Sequence, residues 1–329
     1  MPTVADTPEI EHAERLAEQP HDPTPRPRGE RVDRVAETMQ RTTAAIVDAI
    51  ERGAADPAEW CAPWHRADPD AMIPRNAATG AEYQGGNRLN LYMLAATTGA
   101  APYWATFNQW RDLAHPVPKG CSAGAYVLRP LTKKIEHDDG TDPTYRTVGM
   151  RAHAVWSADQ VGWETPAPAA PRPVPTDRDD IDAAYRWAAT IGVRVEESPH
   201  AGASYSPQLD RVQMPDRDRF TDGHGAWSTM AHECTHWTGH ESRLARTFGR
   251  KFGDDAYAAE ELCAELGAAF TLAARGRSTE PRPDHAHYLA SWLRVLRARP
   301  DALWTVASRA ETAARYLTER ALDLASVAA

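Results

Sequence analysis

His232-Glu233-Cys234-Thr235-His236, followed by Tyr257-Ala258-Ala259-Glu260-Glu261-Leu262-Cys263-Ala264-Glu265, carries the reading of this chain. Residues four apart share one face of a helix, so His232 and His236 are expected to present two imidazoles to one tetrahedral Zn²⁺. Glu233 lies about a hundred degrees round from His232, placed to take a proton from a metal-bound water without itself ligating. The window from Trp227 to Trp237 lacks Pro and Gly, and Gly239 is expected to close the helix in a left-handed conformation. A catalytic zinc also needs a third protein ligand and an open position for water. Glu261 is the first choice for that ligand and Glu260 its rival. Glu265, one turn beyond Glu261, is expected to accept a hydrogen bond from a ligand histidine. Zn²⁺ is the expected metal, with another divalent ion open. The five-residue motif arises by chance in roughly one chain in a hundred of this length, and the downstream acidic pair is what sets this one apart.

Such a site hydrolyses peptides by lowering the pKa of a water and polarising the scissile carbonyl, with Glu233 moving the proton to the leaving amine. His240, His285, His287 and Tyr288 are the polar side chains close in sequence for stabilising an oxyanion. Tyr288 also begins a helical-spaced apolar set with Leu289, Trp292, Leu293 and Leu296, so core packing is its plainer reading. Upstream, Ala203-Ser204-Tyr205 and Arg211-Val212-Gln213-Met214 read as two strands joined by a turn. Peptidases often hold their substrate as a strand added to such an edge.

The chain has 329 residues, enough for two ordinary cores. A Pro-rich segment, Thr165-Pro166-Ala167-Pro168-Ala169-Ala170-Pro171-Arg172-Pro173-Val174-Pro175, marks the boundary. The expected organisation is a polar tail over 1–30, a small α+β domain over 31–164, a linker over 165–177 and a peptidase-type domain over 178–329. The class is therefore α+β. Neither a signal-peptide core nor a membrane-length apolar run is present, which predicts a soluble, cytoplasmic protein with no membrane partner. Cys61, Cys121, Cys234 and Cys263 form no C-x-x-C pair, and the two inside the motif helices read as buried thiols. A net charge of −9 excludes a strongly basic nucleic-acid binder.

In the first domain, a helix from about Asp33 to Arg52 turns Val35, Met39, Ile46, Val47 and Ile50 to one side. Asn87 is expected to cap a second helix, and Thr106 with Gln109 has capping-box spacing for a third. Stretches around 125–131 and 145–157 alternate as strands, with 136–142 as a polar loop between them. Trp64, Tyr83, Tyr103, Trp104 and Trp110 fall among Arg66, Arg75, Arg88, Arg111 and Lys119. Aromatics beside cations stack bases and track phosphates, although the same rings also suit a core. Acids and bases nearly balance here, so a basic groove would be a local concentration.

The chain resembles the ArdC-type antirestriction proteins of plasmids and phages. The first-domain matches include Pro63-Trp64, Pro74, Asn76, Thr79-Gly80, Tyr83, Gly85, Asn87, Trp104, Thr106, Gln109 and Lys119-Gly120. In the second domain they are Tyr205, Asp210, Met214-Pro215, Phe220, His232-Glu233, His236-Trp237-Thr238-Gly239-His240, Arg243-Leu244, Tyr257-Ala258, Glu260-Glu261-Leu262 and Ala264-Glu265, continuing to Tyr288 and Trp292. The resemblance implies an N-terminal single-stranded-DNA-binding domain and a zincin-like metallopeptidase domain acting on an unidentified protein substrate. Trp64, Arg75, Asn76, Tyr83, Asn87, Arg88, Trp104 and Lys119 become the DNA-binding candidates. Where the family has Tyr-Arg-Gly-aliphatic-Asn, this chain has Gln84 and Gly86, and Cys121 replaces a charged residue, so one phosphate-facing arginine is missing. The alternative function is a single-stranded-DNA-binding protective protein whose zinc is structural or latent. A third possibility is an accessory domain of a replication or transfer apparatus.

Overall fold

The computed structural model describes residues 33–54, 62–65, 69–135, 144–166, 177–200, 202–247, 255–279 and 289–327. The tail, Cys61, Arg66, the 136–142 loop, residues 167–176, His285, His287 and Tyr288 lie outside the described residues. Residues 34–329 make one compact unit, and it is α+β.

The first helix, α1 (Arg34–Ala54), buries Ile46 and Ile50 completely. Two short strands, β1 (Arg75–Asn76) and β2 (Tyr103–Ala105), flank α2 (Gly85–Thr98) in sequence. After α3 (Phe107–Asp112) comes a long antiparallel hairpin, β3 (Ala125–Ile135) with β4 (Thr144–Ser157), and then one turn of helix, α4 (Ala158–Val161). The sheet order is β1-β2-β4-β3, with β1 parallel to β2 and the rest antiparallel. α3 begins on the expected capping box, the Thr106 and Gln109 side chains bonding reciprocally to the backbone. Asn87 does not cap α2, whose boundary residue is Gln84. Its amide is spent elsewhere: Nδ2 donates to Leu128 O at 2.8 Å and Oδ1 accepts from Leu128 N–H at 2.7 Å, pinning the helix to β3.

The second half opens with α5 (Asp177–Thr190) and a three-stranded sheet of β5 (Val195–Ser198), β6 (Ser204–Ser206) and β7 (Arg211–Pro215) in the order β5-β7-β6. The expected hairpin is β6 and β7, paired antiparallel. The α-helices that follow among the described residues are α6 (Gly223–Thr238), α7 (Asp255–Ala274), α8 (Leu289–Ala298) and α9 (Ala302–Val327). Gly239 is right-handed, at φ −76°, contrary to expectation. The turn after α6 closes instead through Leu244 N–H to Thr238 O and Arg246 N–H to Gly239 O, and the left-handed residue is Ala245, at φ 48°.

One apolar core draws on both halves. Ile46, Ile50, Trp64 and Leu89 pack in the same cluster as Leu262, Phe270, Trp292 and Leu303. A second cluster, with Ile181, Met214, Trp227 and Met230, seats α6 on α5 and β7. Each fully buried Leu, Ile or Met contributes about 1.5–3 kcal/mol. No helix among the described residues is long and apolar enough to cross a membrane.

Candidate metal centre and nucleic-acid face

Asp222 starts α6 by accepting a hydrogen bond from Gly225 N–H at 2.8 Å. The helix then runs into the interior, where His232, Glu233 and His236 are 2%, 2% and 8% exposed. α7 crosses close beside it because Gly267 has no side chain. A Cβ there would overlap the Thr235 side chain of α6.

That approach brings three donors together. His232 Nε2 and His236 Nε2 lie 3.1 Å apart, and the Glu261 carboxylate stands 3.5 Å from the first and 3.6 Å from the second. Donor atoms from His232, His236 and Glu261 all fall within 4.8 Å of one another. Glu260, the rival ligand, points elsewhere. Its Oε1 accepts from His236 Nδ1 at 3.2 Å, and both its oxygens hold Arg246, at 2.8 and 3.0 Å. Glu265 Oε1 sits 2.8 Å from His232 Nδ1. Each imidazole thus turns its Nδ1 toward a carboxylate and its Nε2 toward the shared point, the orientation a metal-binding histidine requires.

The electrostatics fit a cation. Glu233, Glu260, Glu261 and Glu265 are each at most 6% exposed, and the Arg246 guanidinium pairs with Glu260. Burial works against a charged His236, yet the Glu261 and Glu260 carboxylates outweigh it and push its pKa up to about 10. Burial likewise opposes the Glu261 charge, but His236 and His232 hold that carboxyl well below its usual range. Without a metal, a proton fills part of the place a metal would take. Two nitrogens and one carboxylate form a donor set suited to a divalent ion. Cys234 and Cys263 are buried thiols, as their sequence context suggests. Burial raises both, Cys263 to about 12, and neither joins the donor set.

Two partners of this centre were illegible in the sequence. Arg246 clamps Glu260, Thr238 Oγ1 at 2.7 Å and Thr235 O at 2.6 Å. His65, from the first half, places Nε2 3.4 Å from Glu265 Oε2. Among the oxyanion candidates only His240 is described; its Nδ1 is 2.8 Å from Ser242 Oγ.

The DNA-binding candidates divide. Asn76, Tyr83 and Asn87 line a cleft of about 700 Å³ together with Arg129, Thr147 and His153. Asn76 Nδ2 donates to Tyr83 Oη and Gln109 Oε1, each at 3.2 Å. Arg75, paired with Glu82 at 3.0 Å, and exposed Lys119 lie outside the lining. The expectation of exposed stacking rings is corrected for Trp64 and Trp104, each 1% exposed: both pack the interior and offer no face to a base. Arg88, 3% exposed, is likewise internal, paired with Glu82 and Glu311 and lying 4.8 Å over the Phe270 ring. Gly86 is fixed by packing too, since a Cβ there would overlap Trp304.

The β3–β4 hairpin presents cations that none of those candidates supplies. Arg129, Lys133, Lys134, Arg146 and Arg151 are exposed on it, and its described strands carry no acid. Arg129 sits opposite Arg151 and Lys133 opposite Arg146. Like charges directly opposed across strands are destabilising in isolation. Tyr145 and Val148 stand out beside them, 67% and 59% exposed.

Comparison with known proteins agrees with both halves. The family model for the N-terminal domain of anti-restriction factor ArdC matches residues 36–158, and that for a zincin-like metallopeptidase matches 182–309. The y4eC protein of Sinorhizobium fredii is 35% identical over 292 residues, spanning 86% of this chain and 92% of that one. A DNA primase TraC of Escherichia coli is 30% identical over 282 residues, but this chain spans only 25% of its length. Among solved structures, the metal-free antirestriction ArdC protein of plasmid R388 superposes with a TM-score of 0.68 at 30% identity, covering 87% of this chain and 98% of that one. Its Mn(II)-bound form gives 0.64 at the same identity, covering 86% and 97%.

Proposed function

The chain belongs to the ArdC antirestriction family, and from that premise we propose that it binds single-stranded DNA through its first half and acts as a zinc-dependent peptidase through its second. The observation that carries the reading is the convergence of His232 Nε2, His236 Nε2 and the Glu261 carboxylate on one buried point. Zn²⁺ at these donors would acidify a water and polarise a substrate carbonyl. Glu233 is the general base, taking a proton and passing it to the leaving nitrogen. Glu265 and Glu260 orient the two imidazoles, and Arg246 keeps Glu260 ionised and aimed. Strand β6, at one end of its sheet and packed against α6, is the place for an extended peptide substrate to add.

For DNA, the exposed hairpin cations supply phosphate contacts and Tyr145 a stacking face, with Asn76, Tyr83 and Asn87 in the adjoining cleft. Opposed like charges on β3 and β4 are relieved by a bound polyanion. The resemblance of part of the primases to this chain is consistent with a nucleic-acid role. Protection of a mobile element's entering strand, in the cytoplasm of the host, is the function we assign.

The second reading, a protective DNA-binding protein with structural zinc, is favoured by one observation: none of the three donors is more than 8% exposed, as in closed structural sites. The deciding experiment measures cleavage of unfolded protein by the zinc-loaded chain and its Glu233→Gln variant, alongside anisotropy with single-stranded and duplex oligonucleotides. Cleavage lost in the variant, with a preference for the single strand, supports the proposal. Absence of cleavage with intact DNA protection supports the second reading.

A further inference from the structure

His65 lies far outside the peptidase-type region, yet it reaches the metal centre. Residues 62–65 form a turn held twice: His65 N–H donates to Ala62 O at 2.9 Å, and Ala62 N–H donates to His65 Nδ1 at 3.1 Å. A backbone N–H can only donate, so His65 Nδ1 is an acceptor and the neutral ring carries its proton on Nε2. That Nε2–H faces Glu265 Oε2 at 3.4 Å, while the other oxygen of Glu265 faces His232 Nδ1 at 2.8 Å. The turn is itself anchored to the second half, with His65 bridging Thr279 and Thr279 Oγ1 donating to Trp64 O at 3.1 Å. His65 is 5% exposed and Glu265 also 5%, so water does not readily replace either partner.

We infer that His65 is a positioning residue of the metal centre, supplied by the DNA-binding half: by holding one oxygen of Glu265, it aims the other at His232 Nδ1 and so fixes His232 Nε2 as the metal-facing atom. The inference rests on the assignment of His232, His236 and Glu261 as metal ligands. Partners behind a ligand histidine are worth about 10–100-fold in metal affinity. His65 acts one step further back, and the lower end, about tenfold, is expected.

The test uses the full chain and Zn²⁺ in competition with a chromophoric chelator, for wild type, His65→Phe and His65→Gln. The Phe ring keeps the volume and removes the donor, whereas the Gln amide restores a donor near Nε2. The expected result is about tenfold weaker binding in H65F, recovered by at least half on a logarithmic scale in H65Q, with metal-free melting temperatures within a few degrees of one another. Equal affinity in H65F and wild type overturns the inference while leaving the ligand assignment standing. A wild type that binds no Zn²⁺ overturns the ligand assignment, and the inference with it. Should H65F melt early, long-range ¹⁵N–¹H spectra of the metal-free wild type decide: Nε2–H on His65 with Nδ1–H on His232 supports the relay, and an Nδ1–H tautomer on His65 overturns it.

Discussion

Glu233 and His236 sit on one helix and are separable by substitution. Glu233→Gln keeps shape and removes the base, so it is expected to bind Zn²⁺ within about twofold of wild type and to lose about 10²–10⁴-fold in turnover. Chelator competition and peptide cleavage on the same preparations check this, and undiminished turnover would reject Glu233 as base. His236 sets the pH dependence. Its pKa in the metal-free protein is raised to about 10, so at neutral pH the ring holds a proton that metal must displace. Apparent affinity is therefore expected to rise about tenfold per pH unit from 6 to 8, levelling near the raised pKa. A pH-independent affinity would contradict the assignment. How much of this was legible follows from distance along the chain. The i, i+4 spacing of His232 and His236 survives folding because a helix is rigid. Glu260 and Glu261 are adjacent carboxylates about a hundred degrees apart, and their tertiary surroundings separate them: Glu261 faces both Nε2 atoms, while Glu260 faces His236 Nδ1 and Arg246. His65 is 200 residues from Glu265, and no local pattern announces it.

Between elements, the decisive quantity is the separation of α6 and α7, which Gly267 sets. Gly267→Ala presses a methyl into Thr235 and is expected to cost about 1–3 kcal/mol of stability while weakening metal binding. Thr235→Ala in the same chain opens the space and restores most of both. Melting curves and Zn²⁺ titrations of the single and double variants check the pair, and additive losses would show that the helix packing is not the cause. The β3–β4 hairpin carries a different prediction. Replacing Arg129 and Arg151 by Gln is expected to reduce the salt dependence of single-strand binding by about 0.7 for each phosphate that is no longer neutralised, without lowering the melting temperature, since an unfavourable cross-strand pair is removed with them. An unchanged slope in anisotropy across salt would remove these residues from the interface. Alternation around 125 and 145 marks these strands, while the acids of 136–142 offset their cations in the local charge. An Asn before an apolar run signals a cap, but the Asn87 amide binds the edge of β3 instead, a partner that no local pattern contains.

At the scale of the molecule, two family regions share one interior. The matches to 36–158 and 182–309 bracket the Pro-rich segment from which the sequence suggests two domains. The largest core nevertheless mixes Ile46, Ile50 and Leu89 with Leu262, Phe270 and Leu303, and buried Arg88 ties α2 to Glu311 of α9. A composition shift reveals where a chain crosses between regions. It cannot reveal that both present apolar faces to each other, because an amphipathic helix looks the same whichever partner it covers. Separating the halves would expose several large side chains on each, at about 1.5–3 kcal/mol apiece, a cost comparable with the whole stability of a domain. The full chain is therefore expected to unfold in one calorimetric transition. Ligand at one end must then move all of it: Zn²⁺ at a hundredfold excess over its dissociation constant adds about 2.7 kcal/mol and should raise the single melting temperature by several degrees. The discriminating probe is Trp fluorescence against far-ultraviolet circular dichroism during the same melt, with and without metal. Coincident curves that shift together follow from the shared core. Two transitions, of which metal moves only one, would mean that the interface yields before either half does, and that His65 and Glu265 part company on the way.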